Sequence, residues 1–81
     1  MTKNKKQYKL NLNTQVTIFL QPTFTATLPA DIEMHHKNPD GSYTIELWEI
    51  MSIFGKGLYN GCKIPFINNE IIIPGEDLEE I

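Results

Sequence analysis

The chain has 81 residues, 41% of them hydrophobic and 10% aromatic, with seven basic and ten acidic side chains and a formal net charge of -3. That composition belongs to a folded protein rather than a disordered one, and the length to one small domain that buries only about 60% of the surface its unfolded form exposes. Cys62 is the only cysteine, which excludes a disulfide framework and a cysteine zinc site and leaves self-association as the remaining common source of added stability, so a homo-oligomer is expected.

An unpaired cysteine suits a reducing compartment. The opening stretch "MTKNKKQYKL" has basic residues but no apolar region behind them, unlike a secretion signal. No apolar run approaches the roughly 20 residues of a membrane helix. The expectation is a cytoplasmic protein with no membrane partner. All seven basic residues are lysine, and without arginine, under a negative net charge, sequence-specific nucleic-acid binding is not expected. Charge is segregated: Lys3, Lys5, Lys6 and Lys9 stand at one end, Glu76, Asp77, Glu79 and Glu80 at the other. The blocks read as a flexible basic segment over 1–7 and an acidic tail over 75–81 flanking a domain at 8–74. The alternative is that the two ends neutralise each other.

In chain order, Leu10, Leu12, Val16, Ile18 and Leu20 alternate with polar residues, predicting a half-buried strand over 8–20 that bends near Asn13-Thr14. Phe24, Ala26 and Leu28 alternate with threonines and predict a second strand over 23–28. Gln21-Pro22 makes a poor tight turn between them. Ile32, Met34 and His36 alternate with Glu33 and His35 before the turn signal "NPDG" at 38–41, so 32–45 reads as a hairpin. Leu47, Ile50, Met51 and Phe54 are spaced i, i+3, i+4, i+7 and predict a helix at about 46–54 with Thr44 placed to cap it and Gly55 to stop it. A long strand is the competing reading of the same residues. "GKGLYNG" is then a glycine loop, Asn68-Asn69 a turn, and Ile71, Ile72 and Ile73 a strand buried on both faces. The expected fold is a small α+β domain with four or five short antiparallel strands and one short helix.

Little in this pattern carries chemistry. His35 and His36 as strand neighbours point to opposite faces and do not grip one metal ion. Glycines 55, 57 and 61 match no phosphate-binding fingerprint. Cys62 paired with a histidine is the one conceivable nucleophile, yet no flanking motif supports it, and free cysteine is commonly a small core residue. Neither a catalytic residue nor a cofactor is therefore expected. Binding is the better reading: Trp48 lies one position off the helix stripe, Tyr59 in the glycine loop, and Phe66 after a proline. Such aromatics serve as interface hot spots or simply close a core. Lys56, Lys63 and Asn60 are the neighbouring polar groups able to hold a ligand.

The order "DGSYTIELWEIMSIFG", "LYNGCKIPF" and "EIII" resembles a largely uncharacterised family of small bacteriophage and prophage proteins. The elements that carry the resemblance are Val16 to Leu20, Asp40-Gly41, the tryptophan-bearing Leu47 to Gly55, Asn60-Gly61 and Pro65-Phe66, about half the chain. The stretch "QPTFTATLPADIEMHHK" departs from the pattern. The resemblance implies a phage or prophage origin, and a non-catalytic binding role such as antagonism of host defence, with a host protein or a small nucleotide-like signal as partner. A structural or regulatory subunit acting through self-association is the alternative, and a small hydrolase using Cys62 and a histidine the weakest.

Overall fold

A computed structural model describes residues 6–81; the first five residues of the expected basic segment lie outside it. Over the described residues the fold is α+β, with four short strands in two antiparallel ribbons and one main helix. The elements are β1 (Tyr8–Lys9), β2 (Gln15–Ile18), α1 (Ala30–His35), β3 (Tyr43–Glu46), α2 (Leu47–Phe54) and β4 (Glu79–Glu80), with short 3-10 turns at Pro22–Thr27, Gly55–Gly57, Ile67–Asn69 and Gly75–Asp77.

The centre is the β2–β3 ribbon. Val16 faces Ile45 and Ile18 faces Tyr43 across it, and all four side chains are buried. Alternate residues share one face of a strand, so these four put their apolar surface on the side that Ile32, Ile50, Phe54 and Phe66 cover. On the opposite face the Thr17 and Thr44 hydroxyls meet at 2.9 Å. Beyond β2, the Thr17 N–H donates to the Ile72 carbonyl and the Ile72 N–H donates back. The Gln21 N–H likewise reaches the Pro65 carbonyl, so the C-terminal third is stitched along the outer edge of β2.

The strand expected over 8–20 is broken in two. Between β1 and β2 the Asn11 carboxamide accepts from the Asn13 N–H and the Thr14 N–H donates to the Asn11 carbonyl, a local turn of the kind asparagine favours. The second expected strand, 23–28, is instead a 3-10 turn entered through Pro22, whose fixed φ suits a helical first turn. Thr25 donates its hydroxyl to the Pro22 carbonyl, closing that turn. Nor is 32–45 a hairpin. Its first limb is α1, with Asp31 and Glu33 in the first turn, where carboxylates favour the positive helix end. A single bridge, Lys37 to Tyr43, survives from the expected pairing.

The turn itself forms as the sequence predicts. Asp40 accepts from both the N–H and the hydroxyl of Ser42, and Asn38 donates to Ser42 and Thr44. Gly41 adopts φ +92, a conformation that side chains with a Cβ rarely take. Those bonds from Ser42 hold the Asp40 carboxyl below its ordinary range. Beside the turn, Tyr43 donates its hydroxyl to Glu33, tying α1 to β3. That bond, with burial, pushes the tyrosine up to about 12, and it draws the Glu33 carboxyl down.

The expected helix at about 46–54 is present as α2. It follows β3 with no intervening loop, and its leading donors are satisfied in an unusual way. The Leu47 N–H donates to the Thr14 carbonyl and the Trp48 N–H to the Leu12 carbonyl. Glu46, rather than Thr44, is the cap, and its own N–H donates to Glu49 Oε1 at 3.2 Å in a reciprocal capping box. Gly55 stays right-handed and leads into a further 3-10 turn. Ile71 and Ile72 are substantially exposed, so the isoleucine run is an edge segment and not a doubly buried strand. The acidic end does not leave the domain either. Glu79–Glu80 pairs with Tyr8–Lys9 as β4 against β1, and Lys9 Nζ lies 3.7 Å from Glu79.

Candidate functional site

The rotation of α2 decides what the chain offers to another molecule. Ile50 and Phe54 point into the core, with Leu47 and Ile53 packed against it. Met51, expected on the buried stripe, is 54% exposed, and Trp48 is 46% exposed. The reason is mechanical: α2 grows straight out of β3, where Ile45 is inward, and the two N–H bonds to the 12–14 turn fix its first residues. Ile53 takes the inward position that the sequence pattern assigns to Met51.

Trp48 is not a loose surface ring. Its indole Nε1 donates to Glu46 Oε1 at 2.5 Å, and it walls a hollow of about 190 Å³ between the start of α1 and the side of α2. Pro29, Ile32 and Ile53 supply apolar surface there, and Ser52, Asp31 and Glu49 the polar groups. Both charged side chains in the lining are carboxylates. Glu49 is held by its capping-box bond, so its position is set by the helix start.

Tyr59 and Asn60 line a different hollow, of about 430 Å³, with Leu58, Gly61, Cys62, Ile64 and Asn69. It is built from the glycine loop and the Asn68-Asn69 turn. Gly61 takes φ +93 and Asn69 φ +57, conformations that glycine and asparagine reach at least cost. No charged side chain lines it. Cys62 is half-buried in this lining and unpaired; no histidine joins it there. His35 and His36 sit at the far end of α1, and among the described residues no cluster of three metal-ligating side chains occurs.

Phe66 corrects the expected aromatic rim. It is 4% exposed and meets Phe54 edge-on, ring centroids 5.0 Å apart. Pro65 beside it is fully buried, so the Pro-Phe pair closes the core against β2. Lys56, on the 3-10 turn after α2, and Lys63 are exposed and line neither hollow. The single surface expected from Trp48, Tyr59 and Phe66 is thus three separate things: a wall beside α1, a loop hollow, and a core residue. Sequence reasoning missed Asp31, Glu49, Ser52 and Ile53. The last three share a helix flank with Trp48 through the spacing 48, 49, 52, 53, a signal that was readable. Asp31 was not, because it depends on α1 being a helix.

A third hollow lies between the terminal segments, lined by Lys9, Leu10, Asn11, Thr14, Glu76, Asp77 and Glu79. Among the described residues, no helix is long and apolar enough to cross a membrane. No protein-family model, curated protein or solved structure matches the chain.

Proposed function

We propose that this chain is a small non-catalytic binding protein of phage or prophage type that engages a protein partner through the Trp48 flank of α2, with antagonism of a host defence protein as its role. The observation that carries this reading is Trp48 itself: a half-exposed indole, fixed by Glu46, standing over an apolar-floored hollow. Large, rigid aromatics in such settings concentrate binding energy. The phage setting comes from the resemblance of the sequence.

A nucleotide-like ligand is the weaker form of the same idea. The Trp48 hollow is smaller than the roughly 300–1,000 Å³ of sites that enclose a drug-sized molecule. The larger Tyr59 hollow has no cation to face a phosphate. The decisive experiment compares the tagged wild-type chain with Trp48→Ala in capture from bacterial lysate, followed by affinity measurement on the purified partner. The variant should keep its circular dichroism and bind at least ~1 kcal/mol more weakly. Equal affinity in both, or an unfolded variant, removes the reading, the second outcome making Trp48 part of the core.

Self-association is the second reading, and one observation favours it. Nine apolar side chains form the core, while fourteen large apolar side chains among the described residues are substantially exposed. A chain with more of them outside than inside has surface for another copy to cover. Native mass spectra at rising concentration test this: a discrete oligomer supports it, and a persistent monomer sinks it.

A further inference from the structure

The Trp48 hollow has a chemical character that narrows what enters it. We propose that it receives an arginine or lysine side chain presented by a basic, apolar segment of the partner; this rests on the reading of the Trp48 flank as a binding surface. Three features of the lining argue for that occupant. The floor is aliphatic, from Pro29, Ile32 and Ile53, and suits the methylene stem of a long basic side chain. The charged groups in the lining are Asp31 and Glu49, and no lysine stands among them to neutralise them. The wall is an indole, the ring that attracts a cation over its face most strongly.

Glu46 strengthens the case. Its carboxylate accepts the indole N–H, which holds the ring and places a third negative group beside the tryptophan. The same carboxylates repel an acidic partner segment and a phosphate, so the hollow discriminates by charge as well as by shape. Its volume of about 190 Å³ suits one side chain rather than a free cofactor. A second copy of this chain is a poorer occupant: Pro65 and Phe66, which follow Lys63, are buried in its own core, and Lys9 is paired with Glu79.

Trp48 is the only tryptophan, so its fluorescence reports this hollow directly. The probes are three acetylated, amidated pentapeptides that alternate leucine with arginine, with citrulline (the neutral isostere) or with glutamate. Each is titrated into the full chain while amide shifts of Asp31, Trp48, Glu49 and Ile53 are followed by NMR. The arginine peptide should give a saturable change that weakens as salt is raised, and the glutamate peptide none. Asp31→Asn and Glu49→Gln should each weaken the arginine peptide by about two- to fivefold. Glutamine preserves the capping box, so the second variant keeps α2 intact.

Equal binding of the citrulline and arginine peptides overturns the inference yet leaves the Trp48 flank standing as an apolar contact surface. No saturable shift with any of the three overturns it too. A fluorescence change that follows protein concentration and not peptide assigns the hollow to a second copy, and likewise sinks the proposal. Loss of binding in Trp48→Ala with the carboxylate variants unchanged preserves the binding surface and rejects the cation.

Discussion

The β2–β3 and β1–β4 ribbons are both two-stranded and antiparallel, and yet they contribute to the fold in opposite ways. Every inward residue of β2–β3 is buried to within 3% of complete, whereas all four residues of β1–β4 are exposed. The first carries four apolar side chains across from each other and is covered by α1, α2 and the Pro65-Phe66 segment. The second holds its register through backbone bonds and one exposed ion pair. Strand pairing by itself contributes little in water; a ribbon is stable in proportion to the apolar face it buries. The β2–β3 ribbon therefore organises the domain, and β1–β4 only fastens its ends together.

Deleting apolar volume in the central ribbon should separate the two most sharply. Ile45→Ala removes a fully buried side chain and should lower stability by about 2–5 kcal/mol in a urea titration. A loss below ~1 kcal/mol contradicts the central role given to that ribbon. Next in size is the turn that starts β3. Gly41→Ala places a Cβ at φ +92 with no neighbouring atom in its way, so backbone strain alone should cost about 1–2 kcal/mol. A neutral result shows that the turn relaxes.

The bond between Tyr43 and Glu33 gives a pH signature. Tyr43→Phe should cost about 0.5–1.5 kcal/mol near neutral pH. The folded tyrosine is raised from 10.0 to about 12, so its contribution is complete below pH 10 and disappears as pH climbs through 12. The folded Glu33 lies below 4.5, so its part is complete above that value and fades as pH falls through the lowered one. The stability difference between wild type and Tyr43→Phe should stay level from about pH 5 to pH 10 and shrink on either side. A difference that is flat across the whole range rejects the assigned bond. The smallest effect belongs to the outer ribbon: Lys9→Ala should change stability by no more than ~0.5 kcal/mol. A larger loss makes β1–β4 more than a fastening.

How far the sequence could be read divides along the same line. A helix at about 46–54 was legible because four apolar positions and a glycine agreed on one period, and a turn at 38–41 because Asn38, Pro39, Asp40 and Gly41 each suit one. The alternation of Val16 with Ile18 gave β2 its inward face. Residues 22–35 misled, because Phe24, Leu28, Ile32 and Met34 fall on even positions, as in a strand. Only Leu28 and Ile32 are buried there, and Met34 is 73% exposed. Pro22 and Pro29 start short helical turns instead. With so few residues per element, a period of two and a period near four fit the same pattern equally well.

What the sequence by itself determined is local: the backbone needs of Gly41 and Gly61, the helical period of α2, the absence of disulfides, and the lysine-only basic set. These follow from each residue's own chemistry and its near neighbours. What only the tertiary structure decided is which surface each element shows. The bonds from Leu47 and Trp48 to Thr14 and Leu12 turned α2 so that Ile53 packs partly buried against the core and Met51 is exposed. The bonds of Thr17 to Ile72 and of Gln21 to Pro65 drew Phe66 into the core and left Trp48 and Tyr59 in separate hollows. Side-chain exposure depends on long-range backbone bonds joining residues more than thirty positions apart, and no local pattern encodes those.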